Sequence, residues 1–158
     1  MKKLLVLGAA LLLAGSLSAK WYPHEGSGIT VDIPSSWKVD GTKNSLQASS
    51  KPGNAFVVMR VLKDEKTDAV LAHLDEQLST LLQNIQHGAS EQLELNGLQA
   101  HWTEGTGELN GTSVEFDVVV VATPSGKYLL VIGMIDVNAG KKERKGITRI
   151  LRSVKAIE

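Results

Sequence analysis

Between His101 and Asp117 the chain reads HWTEGTGELNGTSVEFD, which sets one histidine, four carboxylates and three glycines within seventeen residues. A metal centre, a phosphate loop or a general acid–base pair each draws on these residue types. The phosphate loop fails first. Gly105, Gly107 and Gly111 miss the dinucleotide spacing, sit between strands rather than before a helix, and have no lysine of the P-loop kind behind them. Nucleophilic catalysis finds no Gly-x-Ser-x-Gly elbow, and the only imidazoles are His24, His73, His87 and His101.

The metal reading depends on which side chains share a face. Asn110-Gly111 is a strong two-residue hairpin signal. Such a turn sets Glu104 opposite Asp117, Thr106 opposite Glu115 and Gly105 opposite Phe116. His101 then faces Val120 and points away from Glu104, because side chains alternate along a strand. Glu104 and Glu108 share a face but stand about 13 Å apart, too far to chelate one ion. A Ser125-Gly126 turn in the next hairpin would set Glu115 opposite Asp136, gathering Glu104, Glu115, Asp117 and Asp136 at one end of one face. Like charges directly opposite are destabilising, so something must compensate. Three readings stand open: a solvated face, pairing with a basic C-terminal helix, or a divalent-cation site such as Ca²⁺ built from carboxylates.

The basic helix comes from an uneven charge distribution. The formal net charge is zero, yet residues 20–140 hold 8 Lys and Arg against 15 Asp and Glu. Residues 141–155 hold Lys141, Lys142, Arg144, Lys145, Arg149, Arg152 and Lys155 against Glu143 alone. Lys141, Lys142, Arg144, Lys145 and Arg149 are candidate contacts for an anionic surface or partner, with a solvated helix face as the alternative. Nucleic acid is disfavoured by the acidic remainder of the chain.

The chain opens MKKLLVLGAALLLAGSLSA, with a basic start, a short apolar run and a small-residue end. That is the order of a secretory signal peptide, with cleavage expected after Ser18 or Ala19. The expectation is an exported chain, periplasmic or secreted, with no transmembrane anchor after processing. Residues 20–158 then form a single domain. No cysteine occurs, which excludes disulfides, thiol catalysis, thiolate metal sites and a lipid-anchoring cysteine.

The elements that must position these groups follow from periodicity. Ile29, Val31 and Ile33 alternate as a half-buried strand, broken by Pro34-Ser35-Ser36. Leu46 and Ala48 suggest a short strand, 49–54 a loop, and 55–62 a strand inside the sheet. Residues 67–87 carry Val70, Leu71, Leu74, Leu78, Leu81, Leu82 and Ile85 at helical spacing, with Gly88 as terminator. On such a helix His73 and His87 lie about 21 Å apart and share no metal. Four strands follow, near 90–95, 98–109, 112–121 and 127–136. Asn138 is positioned to cap a last helix with Ile147, Ile150, Leu151 and Val154 on one face. Val118–Val121 and Leu129–Met134 are apolar on both faces, so the middle of the sheet is expected to be covered on both sides, at least in part. The class is α+β, an antiparallel sheet with helices against it.

Pro34-x-x-Trp37 after the first strand, the amphipathic helix, Asn96-Gly97-Leu98-Gln99-Ala100, the Asn110-Gly111 hairpin and the closing Ile150-Leu151-Arg152-Ser153-Val154-Lys155 together resemble the PsbP-like superfamily. That superfamily includes the extrinsic photosystem II subunit PsbP and exported bacterial proteins of the DcrB-like type. The resemblance spans about residues 21–157 and implies an α-β-α sandwich around a central antiparallel sheet. It carries over no catalytic or binding residue. It implies a non-enzymatic envelope accessory or interaction protein with another envelope protein as partner and no cofactor. The alternatives are a periplasmic small-ligand or divalent-cation binder using the acidic face, and a hydrolase with a dispersed site.

Overall fold

A computed structural model describes residues 19–62 and 66–158. In chain order its elements are β1 (Ala19–His24), β2 (Ile29–Pro34), β3 (Lys38–Gly41), β4 (Ser45–Ser49), β5 (Ala55–Leu62), α1 (Thr67–Ala72), α2 (Leu74–Ser79), β6 (Gln83–Leu95), β7 (Leu98–Leu109), β8 (Thr112–Ala122), β9 (Tyr128–Asp136), α3 (Lys141–Arg152) and β10 (Lys155–Ala156). The expected signal peptide, residues 1–19, lies outside the described residues except for its final alanine.

Local chemistry sets the central meander. Asn96 and Gly97 have φ of 48° and 84°, and Asn110 and Gly111 have 49° and 81°. Asparagine and glycine tolerate this left-handed region, so both hairpins close with two-residue turns whose twist matches their strands. β6 to β9 therefore run antiparallel, and β9 returns to β5 across the sheet. The strand order is β3-β4-β5-β9-β8-β7-β6, seven strands in all.

One face of this sheet packs Val114, Phe116, Val118, Val120, Leu130, Ile132 and Met134 against Val70, Leu74, Leu78 and Leu82. The opposite face sets Trp102, Val119, Val121, Val131 and Ile135 against Ile147, Ile150 and Leu151 of α3 and Ile29, Val31 and Ile33 of β2. β8 and β9 are thus covered on both sides, as their apolar runs require. Each fully buried aliphatic side chain contributes about 2 kcal/mol. The α+β class stands, with helices on both faces.

Several local expectations give way to tertiary pairing. The predicted helix over 67–87 ends at Ser79 and is divided at His73. Gln83 to His87 belong instead to β6, where Gln83 pairs with Glu108, Gln86 with Thr106 and His87 with Gly105. The long arm of β7 would otherwise leave a row of backbone donors and acceptors unpaired there, and pairing them outweighs helical spacing. Gly88 accordingly sits in a strand, not at a helix end. β1 and β10 had no sequence signal, yet they flank β2 in a separate three-stranded sheet. β10 covers only Ile29 and Thr30; farther along β2, Ser153 Oγ accepts the Asp32 N–H at 2.8 Å. The cap of α3 is Gly140 rather than Asn138. The Asn138 N–H instead donates to Asp136 Oδ1 at 2.8 Å.

Candidate functional site

The hairpin register is as the sequence implies: Glu104 pairs with Asp117, Thr106 with Glu115 and His101 with Val120. Asp136 does not join them. The β8–β9 connection holds five residues, Thr123 to Lys127, closed by Thr123 N–H to the Lys127 carbonyl at 2.9 Å. That slips the register by one, so Asp136 pairs with Val114 and Glu115 with Ile135. A one-residue slip moves a side chain to the other face. Glu104, Glu115 and Asp117 therefore share a face that Asp136 leaves.

Those acids are answered largely from within the chain. Arg144 of α3 pairs with Glu115 and also donates to the Val137 carbonyl at 2.8 Å. The Trp102 indole N–H donates to Asp117 Oδ1 at 2.8 Å, and the Arg152 guanidinium lies 5.5 Å over the Trp102 ring. Burial pushes the Asp117 carboxyl above its ordinary range; the Trp102 hydrogen bond opposes this, Glu104 and Glu115 add to it, and Arg152 opposes it. Among the described residues no group of three or more His, Asp or Glu side chains is placed to hold a metal ion.

The histidines are dispersed. His101 Nε2 meets Ser90 Oγ at 2.7 Å, and Ser90 Oγ lies 3.1 Å from Thr103 Oγ1. Its Nδ1 is buried with no partner, so no carboxylate orients the imidazole as a hydrolytic triad requires. His87 meets Asp75 at 2.6 Å and His73 meets Glu76 at 3.3 Å. His24 is buried, with Nδ1 2.8 Å from Ser27 Oγ. Burial lowers its pKa, and a backbone interaction with Asn44 offsets part of that.

The basic segment divides by residue type. Arg144 turns in to Glu115, and Arg149 turns in to Asp32, with Nε and an NH2 nitrogen each 2.8 Å from Oδ2. Planar guanidinium suits such clamps. Lys141, Lys142 and Lys145 are exposed, with no acid at ion-pair distance among the described residues.

Two of these lysines line the groove that sequence reasoning missed. Pro34, Ser36, Trp37 and Gly146 meet Lys142, Lys145 and Arg149 around a cleft of about 320 Å³ whose walls are mostly carbon. A second cleft of about 270 Å³ adjoins it, sharing Ser36, Trp37 and Lys142 and adding Lys51 and Pro52. Gly146 is what admits the indole: a Cβ there would stand 2.8 Å from Trp37 Cζ2. Pro34-x-x-Trp37 was visible as a landmark. That α3 would lie beside it was not.

No protein-family model and no curated protein sequence matches the chain. Solved structures do. The cyanobacterial PsbP protein CyanoP of Synechocystis sp. PCC 6803 superposes with a TM-score of 0.63 at 11% identity, over 96% of this chain and 99% of that one. The Saccharomyces cerevisiae Ran-binding protein Mog1p gives 0.60 at 10% identity, over 90% and 97%. LpqN, involved in cell envelope biogenesis of Mycobacterium tuberculosis, gives 0.56 at 15% identity, over 89% and 91%. The chain also spans 48% of the length of a Bacteroides thetaiotaomicron protein that it matches. At these identities the likeness is one of fold: the chain has the PsbP-like fold that its sequence landmarks resemble.

Proposed function

We propose that this is an exported, non-enzymatic accessory protein of the bacterial envelope that works by binding another protein. The observation that carries the reading is the cleft beside Trp37, where mostly carbon walls, with the indole itself only 8% exposed at their base, stand next to exposed lysines. An aromatic side chain in a concave setting with charges around it is the make-up of a recognition surface. The arginines of α3 point the same way, because Arg144 and Arg149 fasten the helix to Glu115 and Asp32 rather than standing poised over a reacting group. Export rests on the signal-like N-terminus, and no helix among the described residues is long and apolar enough to cross a membrane. Two proteins of this fold lend support, LpqN through its part in cell envelope biogenesis and Mog1p through its binding of Ran.

The test is site-specific photocrosslinking in cells. A photoreactive residue at Ser36, in the groove, is compared with one at Ser125, in the turn at the opposite end of β9. A discrete protein adduct from position 36 and not from 125 supports the reading. No reproducible adduct at 36, or the same adducts from both positions, overturns it.

A further inference from the structure

Taking the groove as a protein-binding surface, we infer that its occupant is an acidic, extended peptide segment with one apolar anchor side chain. The inference rests on the partner-binding reading and adds the chemistry of the partner. The anchor's place is the carbon-walled cleft of about 320 Å³ against Trp37, Pro34 and Gly146, which is at the small end of the range for ligand pockets. That volume is enough to take one large side chain.

The charge comes from the same cleft. Lys142 and Lys145 both line it, and Lys51 lines its neighbour on the other flank of Trp37. Glu143 is the acid among these lining residues, against three lysines. Arg149 also lines the cleft but is neutralised by Asp32, so the charge left over belongs to the lysines. Lys142 and Lys145 are i and i+3 on α3, which sets them about 5–6 Å apart on one helix face. Alternate side chains of an extended peptide lie about 6.6 Å apart on one side. Carboxylates at alternate positions therefore match the lysine spacing, and Trp37 lines the same cleft as both lysines.

A lipid surface fits less well. A bilayer is broad and flat, whereas this site is a cleft, and the more exposed tryptophan is Trp21, 47% exposed, on the separate small sheet.

The experiment uses the purified protein and a fluorescein-labelled decapeptide carrying one tryptophan with aspartates at alternate positions. Anisotropy reads binding, and the Trp37 indole N–H resonance reads its place. The acidic peptide is expected to bind and to shift that resonance. Replacing its aspartates by asparagine is expected to weaken binding about tenfold, as is the double substitution Lys142→Glu with Lys145→Glu. Added salt weakens binding through screening. Lys20→Glu, on the small sheet, leaves it unchanged, and thermal melts confirm that each variant is folded.

Equal binding by the asparagine peptide, or by the double variant, overturns the inference. So does binding to phosphatidylglycerol vesicles that depends on these lysines while the peptide fails to bind. Failure of the peptide with the Ser36 adduct intact removes the acidic chemistry and leaves the partner reading. Peptide binding without any cellular adduct upholds the chemistry and removes the partner reading.

Discussion

The acidic hairpin face and the Trp37 groove are both charged clusters, and both lie along α3. They differ in what answers the charge. On the hairpin, Glu115 meets Arg144, and Asp117 accepts the Trp102 N–H beneath Arg152. In the groove, Lys142, Lys145 and Lys51 face solvent with no acid of the described chain at ion-pair distance. A charge cluster answered by its own chain is a fastening between elements; one left unanswered beside an apolar wall is available to something else. Residue type follows the division, with arginines turned in and lysines left out.

Substitutions test that division most severely where a fastening is most buried. Arg149→Ala strips the partner from Asp32, whose side chain is only 11% exposed and whose Oδ1 already lacks a hydrogen bond. We expect a loss of about 2–3 kcal/mol in urea denaturation, below the usual cost of breaking a fully buried pair because Arg149 is itself partly exposed. A change under half that size would demote Asp32–Arg149 to a surface pair. Arg144→Gln removes a pair whose members are each more than a third exposed, so the expected loss is about 0.5–1 kcal/mol by the same measurement.

Asp117 provides a test of sign. Its folded pKa is raised above 3.8, chiefly by burial, so the folded protein holds the proton more readily than the unfolded chain. The contribution to stability is full below 3.8 and is lost as pH rises through the folded value. Asp117→Asn keeps an oxygen for the Trp102 N–H and removes the charge. It should be slightly more stable than the parent at pH 7, with the advantage shrinking toward pH 4. A variant less stable at pH 7 would show that the Trp102 hydrogen bond to the charged carboxylate, with the attraction to Arg152, outweighs the burial cost. The smallest expected effect is in the groove, where Lys142→Glu with Lys145→Glu leaves stability within about 0.5 kcal/mol. A larger loss would mean these lysines fasten the fold after all.

The acidic face was half legible. Asn110-Gly111 dictates a two-residue turn, and the pairing of Glu104 with Asp117 follows by counting. Asp136 was misplaced because Thr123-Pro124-Ser125-Gly126 has no unique turn length, and the observed five-residue connection slips the next strand by one. Helical spacing from Val70 to Ile85 was real but misleading past Ser79, since β7 needed a partner for its long arm. The basic helix was legible as an element, and its division into inward and outward charges was not.

By itself, then, the sequence determined what depends on near neighbours along the chain: the two asparagine–glycine turns, the strands' alternation, the two-sided burial of β8 and β9, and the absence of thiol chemistry. The tertiary structure alone decided which distant groups meet. Arg149 and Asp32 are 117 residues apart, Arg144 and Glu115 are 29 apart, and Trp37 reaches Gly146 only because α3 docks beside β2. Local propensities act over a few residues, whereas a groove or an ion pair between elements exists only once hydrophobic burial has packed those elements together.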